Sequence, residues 1–355
     1  MAESFIRRAA GAMNRIHIVG GGLAGLTLGI ALRRKGAPVT VVEAGRYPRH
    51  RVCGEFVSGA GRSVLRELGL EEKLRSRGAR EAKTAAFYAA NGAEFMQALP
   101  EPALCLPRFS LDACLAAEFR NLGGEFVENE RWNGCYGPGT VRATGRRVVP
   151  REGGWRWFAL KAHARDAELP SDLEMHLFDN GYVGLCRLAG NLVNVCGLFR
   201  SRTAVPDLAT NWRAMLQGPK DSRLRRRLGK AEFLDETFCA TAGLELQPRR
   251  AEGRTECCLG DAITMIAPLT GNGMSMAFES ARLAIEPMLD YSRSLTSWAE
   301  TVGRAARACD RSFRRRLFWA ACLQRMAFQS VCRTAVVKVG GGWPCLWQWL
   351  FQRTR

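Results

Sequence analysis

The stretch "RIHIVGGGLAGLTLGIALRRKGAPVTVVE", residues 15–43, decides the fold. "RIHIVG" is a short run of β-prone residues ending in glycines, and "LAGLTLGIALRRKG" has helical composition and stops on Gly36. "APVTVVEAG" repeats a buried-strand pattern and delivers Glu43. Strand, glycine turn, helix and strand within about thirty residues make a βαβ unit. Gly20, Gly22 and Gly25 set G-x-G-x-x-G between the first strand and the helix. The first glycine permits a tight turn, the second lets backbone approach a pyrophosphate, and the third lets helix pack on strand. The helix N-terminus favours the phosphate charge. Glu43, eighteen residues past Gly25, is placed to accept ribose hydroxyls. This is a dinucleotide site.

A second segment narrows the dinucleotide. Residues 259–277 read "LGDAITMIAPLTGNGMSMA". A strand-like run delivers Gly260 and Asp261, and Pro268 with the Gly271-Asn272-Gly273 turn leads into another helix. Asp261 suits a sugar or ribitol hydroxyl, and the glycine turn points backbone N–H groups toward a flavin ring or its phosphates.

Between these segments the period changes. "TAAFYAANGAEFMQAL" is two β-prone runs around Asn91-Gly92, a strong hairpin signal. "RFSLDACLAAEFRNLGG" is helical from about Leu111. "WRWFALKAHAR", "LEMHLFDNGYVGLCRL" and "NLVNVCGLFR" read as antiparallel strands inserted after the nucleotide-binding half. The tail after Ser294 is helical, with a break at Gly340-Gly341-Gly342. The expected architecture is α/β: a Rossmann-like dinucleotide-binding domain over residues 14–80, 101–150 and 250–293, an inserted antiparallel substrate sheet over 81–100 and 151–249, and a helical tail over 294–355.

Thirteen cysteines are scattered without a CxxC pair, and only four histidines are present, which argues against a metal site and for reduced thiols in a cytoplasmic protein. The N-terminal "MAESFIRRAAGAMNR" has no apolar run of signal-peptide kind. The formal net charge is +18, and residues 301–355 hold eleven Lys/Arg against the single acid Asp310, with four of the nine tryptophans. Such a tail suits either a lid on the substrate domain or an anchor at the inner face of an anionic membrane, with Trp343, Trp347 and Trp349 at headgroup depth. No nucleic-acid motif accompanies the charge, which sets nucleic acid aside as a partner.

"GGGLAG", Glu43, "RVCGE" and "GDAITMIAPLTGNG" together resemble FAD-dependent oxidoreductases of the p-hydroxybenzoate hydroxylase fold, nearest their geranylgeranyl reductase-like branch. The resemblance covers roughly residues 14–300. It implies that the Rossmann-like domain is an FAD-binding domain of glutathione-reductase type, with FAD as cofactor and Arg108 in "PRFSLD" as a flavin contact. It also places "RVCGE" beside the isoalloxazine, with Arg51 facing the reduced ring and Cys53 as a proton donor or a packing residue. Two departures stand out. Ala143-Thr144-Gly145 replaces the usual "ADG", and "GYVGLCRL" keeps Tyr182 but lacks the Trp and Pro of the isoprenoid reductases' Tyr-x-Trp-x-Phe-Pro. Lys161, His163, His176 and Tyr182 are the residues expected to line a substrate cavity, the two histidines on adjacent strands.

The expected activity is reduction of a double bond in a lipophilic small molecule by reduced FAD, with hydroxylation of an aromatic or polyketide substrate as the alternative. NAD(P)H or a reduced carrier protein would be the transient electron donor.

Overall fold

The computed structural model describes residues 13–204 and 207–355. Most of the basic N-terminal stretch lies outside them. The opening unit forms as predicted, with β1 (Ile16–Val19), α1 (Leu23–Arg34) and β2 (Val39–Glu43). The chain continues through β3 (Phe56–Val57), α2 (Ala60–Glu67), α3 (Glu71–Arg75), β4 (Arg80–Ala89) and β5 (Glu94–Cys105). Next come α4 (Arg108–Asn121), β6 (Glu125–Glu128) and β7 (Thr140–Arg142). The inserted region holds β8 (Arg156–Arg165), β9 (Leu173–Phe178), β10 (Gly181–Arg187), β11 (Leu192–Ser201), α5 (Leu208–Leu216), α6 (Arg223–Leu228) and β12 (Glu232–Ala242). β13 (Cys257–Cys258), α7 (Gly273–Ser292), α8 (Trp298–Ala327), α9 (Ser330–Gly342) and α10 (Pro344–Arg353) follow.

Five strands form a parallel sheet in the order β13-β7-β1-β2-β6. Parallel strands need crossovers that cover both faces, so their sequences run almost continuously apolar. The core is built accordingly: Leu26, Leu28 and Ile30 of α1, Phe119 of α4 and Phe278 of α7 are sealed from solvent with Ile16, Ile18 and Val41 of the strands. Each such side chain contributes roughly 1.5–3 kcal/mol by leaving water.

The second sheet has eight strands, β12-β8-β11-β10-β9-β4-β5-β3. It is antiparallel except where β4 runs parallel to β9. The predicted hairpin joins β4 and β5, and Gly92 supplies its left-handed turn at φ +88°. Side chains alternate across the sheet. Phe158, Leu160, Val183, Leu185 and Val195 pack on one face around Trp212 of α5. Lys161, His163, Asn194, Cys196, Tyr182 and Cys186 take the intervening positions on the other face, toward the first sheet.

Three expectations need correction. The domain boundary at residues 100/101 falls inside β5, and β3, from the nucleotide-binding segment, pairs with Leu104 and Cys105, so the two layers are stitched together. The strands carrying His163 and His176 are not neighbours, because β11 and β10 lie between β8 and β9. The helical break of the tail falls not within the glycine triplet, which forms the last residues of α9, but just after it at Trp343. A Cβ at Gly340 would sit 2.8 Å from the Phe95 ring, so the glycines let the helix press against β5.

Candidate active site

A cavity of about 990 Å³ runs from the C-terminal ends of β1 and β2 to the inner face of the second sheet. At its nucleotide end the three glycines act for different reasons. Gly20 is held at φ +108°, and a Cβ there would strike the Ala143 carbonyl. At Gly25 a Cβ would strike the Gly20 carbonyl across the strand–helix contact. At Gly22 it would meet nothing within 4 Å. That open space lies at the N-terminus of α1, which has no side-chain cap, the environment an anionic pyrophosphate needs.

Glu43 ends β2 and is buried. Its Oε2 accepts from the Gly21 N–H at 2.8 Å, and Oε1 accepts from the Gly45 N–H at 2.9 Å and Arg49 Nη2 at 2.6 Å. Burial alone would raise its pKa, but the Arg49 hydrogen bond, the Gly45 N–H and the charges of Arg49 and Arg51 outweigh it and hold the carboxyl below its ordinary value. An ionised carboxylate has about four acceptor positions, so Oε2 keeps one for a ribose hydroxyl.

In the middle of the cavity, Gly260 and Asp261 form a 3₁₀ turn after β13. Among the described residues no donor reaches the Asp261 carboxylate, and burial pushes its pKa up to about 6 against the opposing charges of Arg108 and Arg146. A half-buried carboxylate that no described donor reaches, in a cavity, fits a cofactor hydroxyl. The second 3₁₀ turn, Pro268–Thr270, ends at Gly271 in the left-handed region, and a Cβ there would collide with the Phe56 ring. Gly273 then opens α7 without a side-chain cap. Asn272 turns away from the cavity: it is buried, and its Nδ2 donates to the Thr354 carbonyl. Thr144, in place of the expected acid, lines the wall with Ala143 and Gly145.

Arg108 begins α4, lines the cavity and is clamped by Asp112 one turn on, through two hydrogen bonds of 2.8 Å. Arg51 stands 3.5 Å from Asp112 and 3.9 Å from Glu43. The Cys53 sulfur accepts from the Glu55 N–H at 3.4 Å and faces the Arg108 guanidinium. Burial raises its pKa despite that guanidinium, so Cys53 is a neutral thiol on the cavity wall.

Behind it lies a group that sequence reasoning missed. Glu55, fully buried and held at φ +61°, forms an ion pair with Lys161 Nζ at 3.2 Å and accepts hydrogen bonds from His163 Nε2 at 2.7 Å and from the Arg108 N–H at 3.0 Å. Burial would raise the Glu55 pKa, but its bond to His163 and the Lys161 charge bring it below the usual carboxylate range. Lys161 also donates to His50 Nδ1 at 3.3 Å. His50 is held to a pKa of about 4 by partial burial and by the charges of Lys161 and His163. It is therefore neutral at pH 7, and accepting at Nδ1 leaves its proton on Nε2.

Lys161 and His163 thus share one face, as expected, but they support the "RVCGE" loop and are not on the cavity wall. His176 points to the opposite face of the sheet, where it stacks on Tyr88 and contacts Glu174 Oε2 at 2.8 Å. Tyr182 does line the cavity, and its hydroxyl donates to Gln324 of α8 at 3.0 Å.

The far end of the cavity is an apolar chamber walled by Phe87, Leu99, Met175, Leu244, Trp347 and Phe351. Trp347 of α10 sits edge-on to Phe87 and Phe95 at 5.3 and 5.5 Å. The Arg355 Nη1 donates to the Thr270 carbonyl at 2.5 Å. No cluster of metal-ligating side chains occurs among the described residues.

Residues 13–145 match the family model described as FAD binding domain. The glycine cradle, Glu43 and the unpartnered Asp261 fit that cofactor. The chain is 42% identical over 73 residues to the 6-methylpretetramide 4-monooxygenase of Streptomyces rimosus, spanning 21% of this chain and 18% of that protein. It is equally similar over 73 residues to squalene epoxidase 4 of Arabidopsis thaliana, of which 14% is covered. The chain thus spans less than a fifth of the length of these relatives. Its fold is that of the flavin-dependent brominase Bmp2, in a triple-mutant structure, with a TM-score of 0.71 and 18% identity over 95% of this chain and 97% of that one.

The missed residues had faint signals. Glu55 belongs to "RVCGE", and Asp112 follows Arg108 at the i+4 spacing of a helical ion pair. Nothing local links Glu55 to Lys161, or α10 to the chamber.

Proposed function

We propose that the protein is an FAD-dependent monooxygenase acting on a lipophilic aromatic or polyketide-like molecule. The observation that carries this reading is the continuity of the FAD cradle with an apolar chamber in one cavity. The relatives' names, a 6-methylpretetramide 4-monooxygenase and a squalene epoxidase, both denote oxygenations, which supports this reading. Reduction of an isoprenoid double bond is the less favoured reading, since the Trp and Pro of that motif are missing here.

When bound, FAD supplies two-electron chemistry at its ring. Gly20, Gly22 and the N-terminus of α1 would hold its pyrophosphate, Glu43 its ribose and Asp261 a ribityl hydroxyl, and the 268–273 turn would offer backbone N–H groups to the flavin. Cys53 holds a proton on its sulfur at the cavity wall, with Arg108 and Arg51 supplying positive charge nearby. Phe87, Leu99, Met175 and Trp347 exclude water from the substrate end. NAD(P)H or a reduced carrier protein supplies electrons.

The test reduces the FAD-loaded protein without oxygen and mixes it with lipophilic phenols, polyketides and isoprenoids. The expected result is no flavin reoxidation until oxygen is admitted, then a product carrying an atom of isotopically labelled oxygen. Anaerobic reoxidation by an isoprenoid substrate would overturn the reading in favour of the reductase.

A further inference from the structure

We propose that the outward face of α8 and α10 docks on an anionic bilayer surface, and that substrate enters the chamber past α10 from that surface. Along α8, Arg307, Arg311, Arg314, Arg315, Phe318 and Arg325 are exposed. Their spacings of three, four and seven residues, with Arg314 and Arg315 side by side, set them in one stripe. Phe318 at its centre is 60% exposed. It adjoins Trp319, which packs edge-on against Trp349 of α10 at 5.0 Å. The Arg353 guanidinium lies 4.9 Å from the Trp349 ring centre. The result is an aromatic cluster rimmed by cations.

The charge on this face is uncompensated. Among the described residues, Arg307, Arg311, Arg314, Arg315, Arg325 and Arg353 make no ion pair, although many arginines elsewhere do. The other arginines of α8 point elsewhere: Arg304 pairs with Asp290 and the buried Arg316 with Glu279. Asp310, the one acid in residues 301–355, accepts from the Ala251 and Glu252 N–H groups and so faces the protein. Unpaired arginines around exposed indole and phenyl rings complement lipid phosphates above an acyl region. No helix among the described residues is long and apolar enough to cross a membrane, so contact through this face is peripheral.

Helix α10 links the face to the chamber. Trp349 lies on the outer cluster, while Trp347 and Phe351 of the same helix form the chamber wall. A molecule leaving the bilayer has one helix to pass. The entry route rests on the lipophilic substrate proposed above, whereas docking does not and is measured without substrate.

The experiment sediments FAD-loaded protein with phosphatidylcholine vesicles, with and without phosphatidylglycerol. Binding is expected to be about tenfold or more tighter to the anionic vesicles and to weaken with salt, because surface charges are screened. Arg314→Glu with Arg315→Glu should abolish the lipid preference. Phe318→Ser should weaken binding at every salt concentration, while flavin absorbance and far-UV circular dichroism stay unchanged in both variants. Equal affinity for the two vesicle types, or capture of a homopolymeric RNA without vesicle binding, would overturn the proposal. Vesicle binding by a protein that oxygenates no lipophilic compound would leave docking standing and remove the entry route.

Discussion

At Asp261 a carboxylate stands in the cavity with no donor among the described residues, its pKa pushed up by desolvation to about 6 from an ordinary 3.8. Raising the pH through this range charges a partly desolvated group, so the cofactor-free protein loses stability between about pH 4 and 6. Asp261→Asn is therefore expected to raise the unfolding free energy of the cofactor-free protein at neutral pH by up to about 3 kcal/mol. A hydroxyl donated by FAD works in the opposite sense, because it bonds the charged form more strongly. FAD affinity should fall as the pH drops below about 6, and the Asn variant should bind FAD roughly 10–100-fold more weakly without that pH dependence. Isothermal titration across pH 5–8 (roughly the span over which this carboxyl charges) checks both. Cys53→Ala should keep FAD and its anaerobic reduction, while turnover falls about 10²–10⁴-fold, the effect of losing a positioned acid. Cys53→Ser should recover little. Wild-type single-turnover rates in both variants would make Cys53 a packing residue.

The element with the widest reach is α10. Its Trp347 and Phe351 close the chamber, and just beyond it Thr354 accepts from Asn272 while Arg355 donates to the Thr270 carbonyl. The 268–273 turn on the cavity wall is thus tied to the tail. Removing residues 344–355 is expected to speed FAD release and to let an apolar dye into the chamber; unchanged FAD retention would show that the turn holds its shape alone. At α9, Gly340→Val would drive methyl groups into the Phe95 ring. Overpacking of this kind costs about 1–3 kcal/mol, which a denaturant titration would register.

For the whole molecule, the Glu55 cluster joins the two layers. Glu55 comes from the segment after the first βαβ unit, while Lys161 and His163 come from β8 of the second sheet, all three buried. Glu55→Gln leaves Lys161 charged and without its carboxylate, and breaking a buried pair in this way costs about 3–5 kcal/mol. Lys161→Met in the same chain should restore part of that loss. A double-mutant cycle on thermal or denaturant unfolding measures the coupling. A coupling near zero would mean that water compensates Lys161, and that the layers are held by β3 and the apolar core alone.

The sequence by itself determined the parts of this protein whose chemistry is local. The βαβ unit was legible because G-x-G-x-x-G, the strand periods and Glu43 lie within about thirty residues and each glycine answers a backbone need. Asp261 and the 268–273 turn were legible for the same reason, as were the Asn91-Gly92 hairpin and the strands of the inserted sheet. Tertiary structure alone decided which residues meet across the two sheets. His163 and His176 sit on similar strands, yet two intervening strands and the two-residue alternation of side chains send one to Glu55 and the other to the far face. Lys161, which would be solvated on an isolated strand, is buried because a carboxylate from more than a hundred residues away neutralises it. The tail shows the same division: its composition set out cations and tryptophans, but only helix packing turned Trp347 inward and left Trp349 outside. Burial and charge pairing are properties of neighbours in space, and neighbours in space are what a chain acquires by folding.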